Sequence, residues 1–316
     1  MIVAAPYNPP NIGSPVLWVC FLAGVLLLLG IDLWISGRQK SEQGFKEALG
    51  WSLFWIALSI GFGAFVWFRY GGEQGLEFFA GYLLEKSLSV DNLFVFVLLF
   101  RSFAIPPQQQ HRVLFWGVLG ALILRGSLIM VGVALVKRFH WVLSVFGVVL
   151  IYSAYKILFT DENDERVPTD NPLVRFVQKH FRVTPTIEGP HFFVRQKGVL
   201  FATPLLLAVV AAETADLVFA LDSIPAVFAV TDDSFLVFSS NVCALLGLRA
   251  LYFVVRGALL RMRFLKPGLA AILTFVGLKM LLFRWITLPT GTSLLIIAAI
   301  LGLVVVASWL RPANDS

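Results

Sequence analysis

Three carboxylates lie within the run Glu213-Thr-Ala-Asp216-Leu-Val-Phe-Ala-Leu-Asp222-Ser-Ile-Pro225, inside a segment, 198–231, that is otherwise almost wholly apolar. About 20 apolar residues cross a bilayer, so the segment predicts a membrane helix. Because each acid at membrane depth costs on the order of 3 kcal/mol, intramembrane acids indicate a function. Pro225 lacks a backbone donor, so we expect the helix to kink or unwind beside Asp222. Backbone freed at that depth has to face protein or a polar cavity, and we interpret the run as half of an ion site.

The composition of the whole chain is that of a polytopic membrane protein. It is 58% hydrophobic and 14% charged, with a mean hydropathy of +0.83. The net charge of +6 comes from basic residues in short loops, so it does not indicate nucleic-acid binding. Cys20 and Cys243 fall in apolar segments and are expected to be small core residues. The first apolar run lacks signal-peptide features, so we expect it to stay as a helix.

Hydropathy predicts an all-α protein with about nine transmembrane helices. The predicted spans are 15–37, 48–70, 75–100, 112–136, 140–159, 198–231, 235–258, 267–287 and 291–310. The sixth is too long for one straight crossing, which again suggests a broken or tilted helix. Within the long loop 160–197, the stretch from Leu173 to Val183 is either a helix on the membrane surface or a solvated basic loop.

The basic residues are distributed unevenly between the two sides of the predicted bundle. Sixteen Lys and Arg residues fall on one side and four on the other. Since short cytoplasmic loops carry the excess of positive charge, we expect the N-terminus outside and the C-terminus in the cytoplasm.

Spans three to five and six to eight show an internal repeat in their charged positions. Four pairs match in order: Glu85 with Asp216, Asp91 with Asp222, Arg125 with Arg249, and Lys156 with Lys279. A unit of three spans has an odd number of crossings, so the second copy must be inverted, as in many transporters. The alternative is that membrane sequences resemble one another because Leu, Val and Phe dominate them.

The repeat divides the chain into five predicted regions. These are 1–74 with two N-terminal helices, 75–159 as the first repeat, 160–197 as a cytoplasmic loop, 198–287 as the second repeat, and 288–316 with a C-terminal helix and tail.

The intramembrane acids form an oxygen-rich set of candidate ligands. They are Glu85, Asp91, Glu213, Asp216 and Asp222, with amide or hydroxyl oxygens available from Asn92, Ser223 and Asn241. The histidines lie outside the spans or at their ends, so the set suits Mn²⁺, Mg²⁺ or Ca²⁺ better than Zn²⁺. Residues six apart differ by about 240° on a helix, so Asp216 and Asp222 converge only if that helix breaks.

Five intramembrane bases could neutralise these five acids. They are Lys86, Arg125, Lys156, Arg249 and Lys279. One possibility is a fully paired structural network. The interpretation we favour is mixed, with some acids holding a cation and others pairing with Arg125 or Arg249. Asp32, near the end of the first span, is expected to be interfacial rather than a ligand.

Three motifs carry a resemblance to a known family. They are Glu85-Lys-Ser-Leu-Ser-Val-Asp91-Asn92-Leu-Phe-Val-Phe, His111-Arg-Val-Leu-Phe-Trp-Gly, and Phe219-Ala-Leu-Asp222-Ser-Ile-Pro-Ala-Val-Phe-Ala-Val-Thr231. Together with His191-Phe-Phe-Val-Arg195, they make the chain resemble the TerC family, in particular its Alx-like branch. The resemblance implies a bacterial inner-membrane protein named for tellurium resistance and related to manganese exporters. It implies metal binding at Glu85, Asp91, Asn92, Glu213, Asp216 and Asp222.

The leading hypothesis is therefore a divalent-cation exporter, with Mn²⁺ first, in which one repeat rocks against the other. No G-x-x-x-x-G-K-[ST] motif is present, so transport would be secondary, with protons as a candidate for exchange. We expect no enzymatic activity and no resident cofactor. The expected partners are the bilayer and the divalent cation and not nucleic acid, and membrane-protein partners are left open. Two alternatives remain: an intramembrane aspartyl protease using Asp91 and Asp222, although no G-x-G-D element is present, and a scaffold that binds a partner through 160–197.

Overall fold

The fold was analysed in a computed structural model of the chain. The structure describes residues 12–38, 44–139, 141–159, 172–185, 187, 189–196, 198–255, 264–282 and 288–310. The acidic run 161–165 and the predicted span ends at 256–258 and 283–287 lie outside these ranges.

Helices make up nearly all of the described chain, which confirms the predicted fold class. The eleven helices are α1 (Pro15–Arg38), α2 (Phe45–Tyr70), α3 (Gly72–Ser102), α4 (Pro107–Arg138), α5 (Val142–Phe159), α6 (Pro172–His180), α7 (Pro204–Phe228), α8 (Ser234–Leu245), α9 (Leu248–Val255), α10 (Leu265–Leu282) and α11 (Thr290–Leu310). Eight candidate membrane spans are long and apolar enough among the described residues, with α8 and α9 together forming one of them.

Helix α3 corresponds to the third of the nine predicted spans but is not among these eight candidates. It has 31 residues, about 46 Å, and carries Glu85, Lys86 and Asp91 near its middle. The helix packs against α2, α7, α8 and α11, and Phe78 and Leu93 on it are fully buried. Its charged residues therefore belong to a helix enclosed by protein rather than by lipid, where they can find partners.

A small sheet precedes α7 and was not predicted. Its strands are β1 (Arg182–Val183), β2 (Phe193–Gln196) and β3 (Val199–Ala202), with β3 in the middle, parallel to β1 and antiparallel to β2. The predicted span 198–231 therefore starts too early, because its first residues belong to β3. The remaining helix, α7, has 25 residues, a normal length for one crossing.

The amphipathic stretch before the sheet forms α6, the helix that we predicted as one of two possibilities. Val174 is fully buried in the same apolar cluster as Leu205 at the start of α7, whereas Leu173 and Phe176 are exposed. The helix thus packs one side on the membrane bundle. Its contact with the membrane surface stays a prediction.

The predicted break at Pro225 is wrong, and the broken span is the next one. Helix α7 continues without interruption to Phe228, so Pro225 stands in its last turn and the lost hydrogen bond coincides with the end of the helix. The interruption instead separates α8 from α9 at Leu246 and Gly247. Gly247 has φ of +78°, and a Cβ atom there would approach Trp55 to 2.6 Å, so only glycine fits.

Helices α5 and α10, the third helices of the two predicted repeats, cross at a pair of glycines. A Cβ atom on Gly147 would lie 2.9 Å from the Gly277 carbonyl oxygen, and one on Gly277 would lie 2.9 Å from that of Gly147. Each glycine also faces side chains one turn beyond its counterpart, Met280 in one direction and Leu150 in the other, so the helices are antiparallel. Small residues allow this close approach of membrane helices.

Candidate ion site in the membrane interior

Three charged side chains meet where α3, α4 and α7 pack together. Glu85, Arg125 and Asp216 each lie within three residues of the midpoint of their helix. Glu85 is fully buried, and the side chains of Arg125 and Asp216 are 1% and 12% exposed. The group therefore lies in the middle of the bundle, where solvent does little to weaken its charges. We call these three residues the arginine cluster.

Arg125 holds both acids of the cluster. Its Nη1 forms an ion pair with Oε1 of Glu85, and its Nη2 donates to Oδ1 of Asp216 at 2.6 Å. Its Nε lies 3.0 and 3.1 Å from the two Asp216 oxygens, and its Nη1 also donates to Ser223 Oγ at 3.3 Å. This fork geometry suits a guanidinium and fixes its orientation. One positive charge therefore faces two carboxylates.

Glu213 lies one helical turn before Asp216 and therefore on the same side of α7. Both of its carboxylate oxygens are buried, and neither accepts a hydrogen bond from a described residue. The carboxylate packs against Gly120 of α4, and a Cβ atom on that glycine would overlap it. An acid buried in this way is costly unless a proton or a cation neutralises it.

Asp222 occupies a different part of the site. It accepts a hydrogen bond of 2.5 Å from Ser153 Oγ of α5, and Lys156, one turn further along α5, is close enough to interact with it electrostatically. Because α7 is unbroken, Asp222 faces α5 while Asp216 faces α4. The predicted convergence of Asp216 and Asp222 therefore does not occur, and the Arg125 hydrogen bond to Ser223 links the two parts instead.

A cavity of about 390 Å³ extends from Arg125 and Asp222 to the end of the bundle. Its polar lining comprises Asn92, Arg125, Ser153, Lys156, Asp222, Ser223 and Lys266. Lys266 is the second residue of α10, so the cavity extends from that helix end to Arg125 near the middle of α4. A second cavity of about 20 Å³ borders Asn92 and Asp216, so Asn92 lines both.

The other predicted site residues are less closely placed. The Asp91 side chain lies outside the described part of the structure. Asn241 is buried in α8. Arg249 forms an ion pair with Asp32 of α1 rather than with the acids of α3 and α7. Asp32 thus has a specific partner, and the interfacial position that we expected for it stays a prediction.

The family to which the chain belongs follows from sequence comparison. The profile described as "Integral membrane protein TerC family" matches residues 70–316. The chain belongs to the TerC family. Helix α1 and nearly all of α2 precede the matched residues.

Alignments with individual relatives cover nearly the whole chain, these two helices included. "Uncharacterized membrane protein STKORF319" of Myxococcus xanthus is 49% identical over 311 residues, 97% of each chain. Proteins of Salmonella typhi and Escherichia coli (strain K12), both named "Putative membrane-bound redox modulator Alx", are 44% and 42% identical over 315 residues, 96% of this chain and 98% of theirs. No solved structure matches the chain.

The candidate ligand atoms of this TerC protein are oxygens, and oxygen ligands suit hard cations. Among the described side chains, no three acidic, histidine or cysteine residues are grouped closely enough to hold a metal by themselves. Asp91, the central acid of the first motif, is not among those side chains. The metal-binding role of the six predicted residues stays a prediction.

Sequence analysis missed two residues that shape the site, Ser153 and Gly120, and the partner of a third, Lys86. Ser153 carries a weak signal, since it is a hydroxyl residue three positions before Lys156 in an apolar span. Gly120 carries none, because glycines are frequent in membrane helices. Lys86, which we counted among the intramembrane bases, donates to the carbonyl of Ala244 in α8 at 3.1 Å.

Proposed function

We propose that this TerC protein is a secondary transporter that exports a divalent cation, with Mn²⁺ as the first candidate, across the bacterial inner membrane. The cation is the cargo, and the acids of α3 and α7 bind it. The N-terminus lies outside and the C-terminus in the cytoplasm.

The observation that carries the proposal is the charge of the buried group around Arg125. The Arg125 guanidinium pairs with Glu85 and Asp216, and Glu213, one helical turn from Asp216, has no hydrogen-bond partner among the described residues. If all three are ionised, the group carries two uncompensated negative charges in a low-dielectric interior, a costly state. A divalent cation supplies the two missing positive charges.

The ligand chemistry narrows the cargo to hard cations. Carboxylates together with the amide oxygen of Asn92 and the hydroxyl of Ser223 favour Mn²⁺, Mg²⁺ or Ca²⁺ over softer metals. Mn²⁺ comes first because the TerC resemblance implies kinship with manganese exporters.

Proton exchange is the proposed driving reaction. Glu213 binds a proton when the cargo is absent and releases it when the cation arrives, so its carboxylate is never left buried and charged alone. The 390 Å³ cavity that extends from Lys266 to Arg125 is the proposed path toward this group, and Asn92, Asp222 and Ser223 are among the residues that line it. Asp222, held by Ser153, lies along that path.

The proposal is tested by measuring manganese in cells that depend on this protein for export. The variant Glu213→Gln keeps the size of the side chain but removes the charge, so we expect manganese to accumulate several-fold above wild type. The control is Glu73→Gln, an exposed acid at the start of α3, which should export normally. Normal export by Glu213→Gln, at equal protein level, contradicts the proposed site.

A further inference from the structure

The break between α8 and α9 lies in the middle of a membrane span. The two helices together run from residue 234 to residue 255, and the interruption at Leu246 and Gly247 is within three residues of the centre. The last carbonyl groups of a helix have no partner within it, and at membrane depth water is not available to supply one. The end of α8 therefore needs donors from elsewhere in the protein.

Two side chains from neighbouring helices meet these carbonyls. Lys86 Nζ of α3 donates to the Ala244 oxygen at 3.1 Å. Ser59 Oγ of α2 lies 3.3 Å from the Cys243 oxygen but also 2.8 Å from the Trp55 oxygen of its own helix, so its single proton is shared. The ammonium of Lys86 is thus a cation that a hydrogen bond connects to this helix end.

The position of Lys86 rules out simple extension to the membrane surface. It is one residue from the midpoint of α3, about 21 Å along the helix from Gly72 and about 24 Å from Ser102. A lysine side chain is far too short to cover those distances. Lys86 is therefore held in the interior, next to Glu85 of the arginine cluster.

The C-terminal end of a helix carries a partial negative charge, and unwound carbonyls in secondary transporters coordinate Na⁺ or protons. We propose that Lys86 is a tethered cation that occupies such a position at the end of α8, and that transport by this chain consequently needs no Na⁺. The statement about Na⁺ rests on the proposed transport function, whereas the statement about Lys86 does not. Lys86 is a positioning residue that holds the break, and its charge replaces that of a free ion.

The experiment compares salts on purified full-length protein in lipid nanodiscs. The variant Lys86→Ala opens the space of the ammonium, and thermal unfolding is measured in sodium chloride and in N-methyl-D-glucamine chloride at equal ionic strength. We expect the variant to unfold about 4–8 °C below wild type in the bulky-cation salt and to recover at least half of that loss in sodium chloride. Wild type should unfold at the same temperature in both salts.

The matched control is Lys279→Ala, which removes a second half-buried lysine of a membrane helix. Its unfolding temperature should not depend on which cation is present. An equal loss for Lys86→Ala in both salts, or no loss at all, overturns the tethered cation. If Lys86→Ala does not fold, Lys86→Ser is compared in the same salts, because its hydroxyl can help to ligate a small ion.

Manganese export in reconstituted vesicles tests whether transport needs Na⁺. Wild-type export should be unchanged when N-methyl-D-glucamine replaces Na⁺, while Lys86→Ala should export only with Na⁺ present. If wild-type export stops without Na⁺, the proposal that transport needs no Na⁺ is overturned. Absence of any wild-type export, with the salt-specific stabilisation of Lys86→Ala intact, refutes the proposed function and leaves the tethered cation standing.

Discussion

Arg125 and Arg249 hold matching positions in the two predicted repeats, yet their surroundings differ. Arg125 joins acids of α3 and α7, one from each repeat. Arg249 instead pairs with Asp32 of α1, a helix outside both repeats and before the residues matched by the family profile. The comparison shows that similar sequence positions can serve different purposes. Arg125 belongs to the candidate ion site, whereas Arg249 attaches the N-terminal helix to the half-helix α9.

Removing the first arginine should have the largest effect. Arg125→Met leaves Glu85 and Asp216 as buried charges without their cation, a change that typically costs about 3–5 kcal/mol. We expect little folded protein, measured by size-exclusion chromatography of a fluorescent fusion. The triple variant Arg125→Met, Glu85→Gln, Asp216→Asn should recover much of the folded fraction, because none of these three positions then carries a charge. Full stability of the single variant contradicts the pairing seen here.

Removing the second arginine should cost less. The Arg249 and Asp32 side chains are 10% and 13% exposed, and losing a charged hydrogen bond costs about 1.5–3 kcal/mol. Arg249→Met should therefore fold, with a lower unfolding temperature. Asp32→Asn should lower it by a similar amount, and the double variant should add little. Strict additivity of the two losses means that the residues do not interact, and it removes the contrast between the two arginines.

Gly120, which packs against Glu213, can be substituted without altering the charge of the candidate site. Gly120→Ala places a methyl group where the Glu213 carboxylate lies, so the acid has to shift. We expect Mn²⁺ binding to weaken about tenfold, equivalent to about 1.4 kcal/mol, in a titration of purified protein. Gly126→Ala is the control, since its Cβ atom would be 3.1 Å from Phe238 and away from any acid. Equal Mn²⁺ affinities of the two variants mean that Glu213 does not help to bind the cation.

The smallest effect is expected at Asp222, which a hydroxyl group holds instead of an arginine. Ser153→Ala removes one hydrogen bond to the carboxylate, worth about 1 kcal/mol. Export should continue with an apparent KM raised about fivefold, measured as manganese uptake into inverted vesicles. Ser127→Ala, on an exposed stretch of α4 whose hydroxyl bonds only to its own helix, should leave KM unchanged. A large loss of maximal rate in Ser153→Ala instead gives Ser153 a role beyond holding Asp222.

Hydropathy was sufficient to predict the helical class, because a bilayer requires long apolar segments and hydrogen-bonded backbone. It also identified Glu85 and Asp216, the two acids that pair with Arg125, because charges are rare within such segments. The strands β1 to β3 were missed since two to four residues are too few for an alternating pattern to be visible. The break was assigned to Pro225 because proline is the stronger local signal, whereas the effect of Gly247 depends on its packing against Trp55.

The sequence could not predict which residues pair with each other in the folded protein. Arg249 and Asp32 are 217 residues apart along the chain, and no local pattern connects them. The same holds for Lys86 and Ala244, which are 158 residues apart. Such pairs are decided by how the helices pack.

The glycine crossing of α5 and α10 limits how these two helices can move. With the two backbones in contact at Gly147 and Gly277, and with Met280 and Leu150 flanking them, sliding along the helix axis would drive side chains into main chain. Pivoting about the contact point keeps that separation constant and needs no repacking there. If the two helices change their relative tilt in this way, the displacement of one against the other is smallest at this level of the membrane and grows toward both surfaces.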